Sequence, residues 1–226
     1  MVRAKVDCLR AHQPDLDAAE QAQLRQEYRA YLDLAERYTR PDQPLLLLMH
    51  GLSGSGKTTV SQQLLEQLPA IRLRSDVERK RLFDLPATAD TASDVDQGIY
   101  SQQASEQTYR RLLALARHLL QWGYRVIVDA AFLEQDRRAP FLQLARELGL
   151  PCHIIECQAT EAELRRRLQL RARDKKEASE ADIAVLERQL QRQQPLNNSE
   201  RERVMTVATA DGTAIDALIQ ALQQER

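Results

Sequence analysis

Five apolar residues, Leu45-Leu46-Leu47-Leu48-Met49, run into Gly51-Leu52-Ser53-Gly54-Ser55-Gly56-Lys57-Thr58-Thr59 with only His50 between. An apolar run of this length ending at glycine reads as a buried strand, and Thr58–Leu68 reads as the helix that follows. The Gly-x-x-x-x-Gly-Lys-Thr spacing therefore falls at a strand-to-helix turn, the setting in which it cradles phosphate. Gly51, Gly54 and Gly56 permit positive φ, so the backbone can curl until consecutive N–H groups converge on an anion. Lys57 supplies a point charge for the outer phosphates, the Thr58 hydroxyl suits Mg²⁺, and the helix N-terminus adds its partial positive charge. The expected ligands of a nucleoside triphosphate are thus Gly51, Ser53, Gly54, Ser55, Gly56, Lys57, Thr58 and Thr59. The bland alternative, a Gly/Ser-rich turn before an ordinary helix, does not account for the strand in front.

The chain has 226 residues, enough for one large α/β domain or a smaller one with a helical appendage. Lys+Arg 32 against Asp+Glu 33 leaves a net charge of −1, so the chain as a whole carries no electrostatic commitment to nucleic acid or anionic lipid. Cys8, Cys152 and Cys157 lack metal-ligand spacing and do not form an even disulfide set; the last two read as buried thiols in or near a strand. The start, Met-Val-Arg-Ala-Lys-Val, lacks a secretory apolar core, and no stretch approaches membrane-spanning length, which points to the cytoplasm.

Asp15 to Tyr38 reads as a helix in which Leu24, Tyr28, Tyr31, Ala35 and Tyr38 form one stripe. Packing on its own domain is the simpler use of that stripe, and a partner interface is the alternative. Pro41 and Pro44 then make 1–43 a separable helical extension ahead of a domain spanning 44–226. Further strands are expected at Ile71–Arg74, Arg125–Asp129, His153–Cys157 and Arg203–Ala208. Helices are expected at Val77–Phe83, Ser105–Trp122 (stopped by Gly123), Gln135–Leu148 (stopped by Gly149) and Ala214–Gln223. Thr160-x-x-Glu163 and Ser179-x-x-Asp182 read as capping boxes opening helices to about Arg173 and Gln194. Alternating β and α elements imply a parallel sheet covered on both faces, with ligands beyond the carboxyl ends of its strands. The run Gln189–Gln194 is glutamine-rich and has no evident use.

Phosphoryl transfer needs charge neutralisation, an aligned acceptor and a destination for the acceptor's proton. Asp76 follows the second strand and opens a helical run; it reads either as a general base for a substrate hydroxyl or as a plain N-cap. Arg79, three residues on, shares its helical face and suits a substrate anion or the γ-phosphate. Asp129 ends the third strand as a Walker-B-type carboxylate would, serving either Mg²⁺ or the acceptor. Arg165, Arg166, Arg167, Arg171 and Arg173 follow the fourth strand. Arg167 and Arg171, one turn apart, are the expected lid cations over the phosphates, with Arg173 behind them. The cluster lacks interleaved aromatics, which argues against a nucleic-acid surface. Leu85–Tyr100, with Asp90, Asp94 and Asp96, reads as a polar loop lining the acceptor site. His50 reads as the end of its strand.

With these residues in hand, the chain resembles the P-loop kinases of the small-kinase branch, relatives of zeta toxins, polynucleotide 5′-hydroxyl kinases and gluconate-type kinases. The matching pieces are Gly51–Thr59, Arg74–Leu82, Gly98–Ser101, Gly123–Leu133 and Leu164–Arg173. It looks closest to the ATP-binding half of bifunctional aminoglycoside phosphotransferase/ATP-binding proteins. The start Val2–Val6 resembles the tail of the domain that precedes that half, which implies a truncated or standalone second half and a phosphotransferase-like domain or partner on the N-terminal side. The resemblance implies an α/β P-loop NTPase fold of three αβα layers, with a five-stranded parallel sheet in the kinase-like order 2-3-1-4-5. It also implies ATP and Mg²⁺ as cofactors, Asp76 as general base and Arg79 as a phosphate-binding assistant. The expectation is an ATP-dependent phosphotransferase acting on a hydroxyl of a small molecule. The alternatives are a regulatory ATP-binding module of a two-domain protein and a polynucleotide 5′-hydroxyl kinase.

Overall fold

A computed structural model describes residues 2–12, 16–39, 43–87, 89, 99, 101–171, 182–210 and 213–224. The chain divides into two compact units, Met1–Asp42 and Gln43–Arg226. In the first, helices α1 (Val2–Arg10) and α2 (Ala18–Thr39) lie side by side. Asp17 caps α2, its Oδ1 accepting from the Ala19 and Glu20 amides at 2.8 Å. Of the expected tyrosine stripe, Leu24 is buried and Tyr28, Tyr31 and Ala35 are half-buried; the Tyr38 side chain lies outside the described residues. Helix α1 was not foreseen. Its buried positions, with the residue just beyond it, are Ala4, Asp7 and Ala11, too small and polar to write a hydrophobic period.

The second unit is a five-stranded parallel sheet in the order β2-β3-β1-β4-β5, the order expected of a P-loop kinase-like fold. The strands are β1 (Leu46–His50), β2 (Ala70–Arg74), β3 (Arg125–Asp129), β4 (Cys152–Gln158) and β5 (Val204–Ala208). Between them run α3 (Lys57–Gln67), α4 (Ser75–Leu82), α5 (Gln102–Gln121), α6 (Gln135–Leu148), α7 (Glu161–Arg171), α8 (Ile183–Arg192) and the short α9 (Asn198–Arg201), and α10 (Thr213–Gln224) follows β5.

The strand alternation builds two cores. Leu46, Leu48, Val126, Val128 and Ile154 meet Leu112 and Leu120 of α5 and Phe141 and Leu144 of α6 on one face. Leu47, Met49, Ile127, Ile155 and Val207 meet Val60 and Leu64 of α3 and Ile219 and Leu222 of α10 on the other. This two-sided burial explains why β1 reads as an unbroken apolar run. Truncating fully buried Leu64 or Leu112 to Ala would cost about 2–5 kcal/mol. Gly123 (φ 85°) and Gly149 (φ 66°) follow α5 and α6 in the left-handed region, as their positions implied.

Two helix-start expectations need correction. Thr160 Oγ1 accepts from the Glu163 N–H at 3.3 Å, but the Glu163 carboxylate turns to Arg166 and Arg167, so the box is half formed. Helix α8 is capped by Asp182, whose Oδ1 accepts from Val185 N–H at 2.9 Å; Ser179 lies outside the described residues. Helix α9 carries a complete capping box, Asn197 with Glu200, which was not anticipated. Among the described residues no helix is long and apolar enough to cross a membrane.

Candidate active site

Strand β1 pairs with β3 on one side and β4 on the other, then leaves the sheet at Gly51. Gly51, Gly54 and Gly56 have φ of 144°, 82° and 89°. A Cβ at Gly51 would lie 2.7 Å from the Cys157 carbonyl oxygen and one at Gly54 2.9 Å from that of Leu164, so β4 and α7 close against the loop. Gly56 is the N-cap of α3 and offers no side-chain acceptor to the first-turn amides, which leaves them for an anion. Lys57 Nζ donates to the Gly51 and Leu52 carbonyls, both at 2.8 Å, so the ammonium lies along the first turn of the loop. Main-chain amides at a helix start beside a lysine suit a polyphosphate.

The expected acceptor-side residues come from β2, β3 and the helix after β2. Strand β3 separates β2 from β1, so Asp76 follows a strand one place removed from the loop. The register Arg74↔Asp129 nevertheless brings both strand ends to one edge. Helix α4 begins at Ser75 with Arg74 as N-cap and no side-chain cap, so Asp76 stands in the first turn and is not the N-cap. Arg79 is corrected. Its side chain is buried, and its Nη1 donates to the Ile99 carbonyl and Ser105 Oγ, both at 3.1 Å, tying α4 to the start of α5.

Asp129 is buried, with Oδ2 accepting from Ser61 Oγ at 3.2 Å and standing 3.8 Å from Arg74 Nε. Ser61 lies one turn beyond Thr58 on α3. Arg72 joins them: its Nη1 donates to Ser61 Oγ at 3.0 Å and to the Thr58 carbonyl at 3.3 Å. Burial pushes the Arg72 guanidinium below its ordinary pKa, against the pull of Asp129. Arg72 and Arg74 also line an open cavity of about 390 Å³ along the outer edge of β2, with Leu65, Val77 and Arg81. Among the described residues no three His, Cys, Asp or Glu side chains converge as a metal cage. One hydroxyl (Thr58) and one carboxylate (Asp129) fit Mg²⁺, which keeps water and substrate phosphate as most of its ligands.

The arginine cluster divides. Arg167 is hydrogen-bonded to the loop and to the end of β5: Nη1 donates to Thr209 Oγ1 at 2.9 Å and to the Gly54 carbonyl at 3.3 Å. Its Nη2 donates to the Thr209 carbonyl at 3.1 Å, and its Nε to Glu163 at 2.6 Å. It fastens the loop to the end of β5. Hydrogen bonds from Arg166 and Arg167 hold the half-buried Glu163 carboxyl down at about 2. Arg165 pairs with Glu161 and Glu187 at the surface. Arg171 ends α7, but its side chain, all of Arg173 and most of the Leu85–Tyr100 loop lie outside the described residues.

The family model for the AAA domain matches residues 46–196, which includes the loop, Asp76, Asp129 and the arginine helix. The chain belongs to the AAA domain family. Uncharacterized proteins of Mycobacterium tuberculosis and Mycobacterium bovis are 30% identical to this AAA-domain chain over 185 residues, 82% of it and 36% of their own length. The chain therefore spans about a third of the curated relatives it matches. A candidate kinase of Chloroflexus aurantiacus shares the fold at TM-score 0.61 and 23% identity, covering 82% of this chain and 100% of that one. The Mycobacterium tuberculosis APS kinase in complex with AMPPNP and APS shares it at TM-score 0.53 and 21% identity, covering 82% and 98%.

Several residues of this AAA-domain site gave no signal in the sequence. Phe132, fully buried, has φ 50°, rare for an aromatic residue, and its carbonyl accepts from His50 Nδ1 and Arg138 Nη1, both at 3.0 Å. The neighbouring Ala131 carbonyl accepts from Gly51 N–H at 3.2 Å, so this turn braces the start of the loop. Beneath it Arg138 grips Glu200 through two hydrogen bonds. Burial lowers the His50 pKa, assisted by the nearby Arg138 and Lys57 charges. Gln189 reaches the loop from α8, its Oε1 accepting from Ser53 N–H at 2.7 Å. Only a positive-φ aromatic or a long-range partner reveals these roles, and neither is written locally.

Proposed function

We propose that this chain is a Mg²⁺- and ATP-dependent kinase that transfers a γ-phosphoryl group to a hydroxyl of a small molecule. The observation that carries the reading is the loop itself: an uncapped helix start, three positive-φ glycines and the Lys57 ammonium within one turn. Asp76 in the first turn of α4 and Asp129 at the end of β3 stand at the same edge of the sheet. The APS kinase solved with AMPPNP and APS supports nucleotide use by a fold of this kind.

In this reading the Ser53–Thr59 amides and Lys57 hold the polyphosphate, and Lys57 exchanges its carbonyl partners for phosphoryl oxygens. Bound Mg²⁺, held by Thr58 and through water by Asp129, would neutralise charge on the outer phosphates. Asp76 accepts the acceptor hydroxyl's proton as that oxygen attacks. Arg79 orients α4, while Arg171 and Arg173 take the phosphate-facing role that the hydrogen-bonded Arg167 does not fill. Mixing the protein with γ-labelled ATP and a metabolite extract tests this. Lys57→Ala should abolish nucleotide turnover, and Asp76→Asn should cut transfer by about 100-fold or more with ATP affinity spared. Lost ATP affinity in Asp76→Asn would mean the acceptor side is misassigned.

A second reading is a regulatory ATP-binding module within a longer protein. It is favoured by the chain's coverage of only 36% of its curated relatives' length. ADP release insensitive to every hydroxyl acceptor and to Asp76→Asn would select it.

A further inference from the structure

The glutamine-rich stretch Gln189–Gln194 supplies two carboxamides that each accept from a main-chain amide at the rim of the site. Gln194 Oε1 accepts from Gln135 N–H at 2.7 Å, and its own N–H donates to the Leu133 carbonyl at 2.9 Å. The end of α8 is thereby fixed to the segment after β3. Gln189, half-buried in the same helix, accepts from Ser53 N–H at 2.7 Å. Leu186 is fully buried with Leu164 and Leu168, and Leu52 and Leu190 pack on that cluster, so α8 is seated against the loop beside Ser53. Gly54, the next residue, is held by Arg167.

In the nucleotide reading the first half of the loop would meet the terminal phosphoryl group. Lys57 Nζ, which reaches the β- and γ-phosphates in loops of this spacing, lies on the Gly51 and Leu52 carbonyls directly beside Ser53. Inner phosphates sit deeper, on the amides that open α3. The Ser53 N–H therefore has two candidate acceptors, the Gln189 carboxamide and an oxygen of a third phosphate.

We propose that Gln189 is a specificity-determining residue by which this site distinguishes a nucleoside triphosphate from a diphosphate. The proposal rests on the nucleotide reading above. A charged phosphoryl oxygen is a stronger acceptor than a neutral amide, so a third phosphate takes the Ser53 N–H and releases Gln189. A diphosphate stops short of the rim and leaves the Gln189 bond in place. The bond thus opposes triphosphate binding alone, and by reciprocity a bound triphosphate loosens α8.

Calorimetric titration of Mg²⁺ with a non-hydrolysable ATP analogue, and separately with ADP, tests this on the full chain. Gln189→Ala should tighten the ATP analogue about fivefold relative to ADP, the worth of one net hydrogen bond. Gln189→Glu should weaken it about tenfold or more relative to ADP, because a carboxylate keeps the Ser53 N–H and repels phosphate. An ATP-to-ADP affinity ratio unchanged in both variants, or shifted in the opposite sense, overturns the proposal. Wild-type protein that binds neither nucleotide would bring down the nucleotide reading and this inference with it.

Discussion

Two arginine–carboxylate pairs of this domain, each built on a buried carboxylate, differ in how completely they are closed. Arg138 and Glu200 are 0% and 2% exposed and meet twice, Nε to Oε1 at 2.7 Å and Nη2 to Oε2 at 3.1 Å. Their remaining capacity goes to the Phe132 and Pro195 carbonyls and the Asn197 amide. Arg74 and Asp129 stand 3.8 Å apart, with Ser61 sharing the carboxylate. The closed pair has no capacity left for a ligand and serves as architecture under the turn at Phe132. The open pair lies where β2 and β3 end, and under the proposed function a divalent cation would draw the carboxylate away at little cost. Saturation, more than burial or charge, separates the structural pair from the one proposed to act.

Arg138→Met should produce the largest effect. It leaves Glu200 buried without its cation, and a loss of about 3–5 kcal/mol is expected in a denaturant titration. A loss below about 1 kcal/mol would mean the pair is less closed than its geometry indicates. Asp129→Asn should change stability by only about 1 kcal/mol while Mg²⁺-dependent turnover falls by two orders of magnitude, so the two readouts separate. Equal damage to both would erase the contrast.

A smaller effect is expected from His50, which abuts both the closed pair and the loop. Its folded pKa lies below 6.5, chiefly through burial, so the unfolded chain binds more protons between the two values. Melting temperature should therefore fall as pH drops below 6.5, and His50→Gln should flatten that slope. The Glu200 contribution appears lower, because its depressed pKa places the loss below 4.5. Arg117→Ala, which breaks a surface pair with Glu147, should leave the denaturation midpoint unchanged.

The phosphate side of the site was legible because its residues are contiguous and its strand is apolar on both faces. The strand order came from resemblance, and the sheet follows it. The placement of Asp76 and Asp129 at the carboxyl edge of the sheet was legible because both follow or end β-branched or apolar strand runs. Arg138 and Glu200 were not, since a lone charge on a helix reads as a solvated face and its partner lies 62 residues away. The bonds of Arg167 to Thr209, 42 residues on, and to the Gly54 carbonyl have no local signal in its helix, which shows only the face it shares with Arg171. Arg79 likewise needed Ile99 and Ser105 before its guanidinium could be assigned to the joint between two helices.

Cys152 and Cys157 are sealed within β4, where burial pushes both thiols up to about 12, while Cys8 in the N-terminal unit is partly accessible. An alkylating reagent should therefore label the chain in two stages, Cys8 at once and the strand thiols only when the sheet opens. The slow stage is a built-in clock for breathing of the central sheet, and it needs no engineered label.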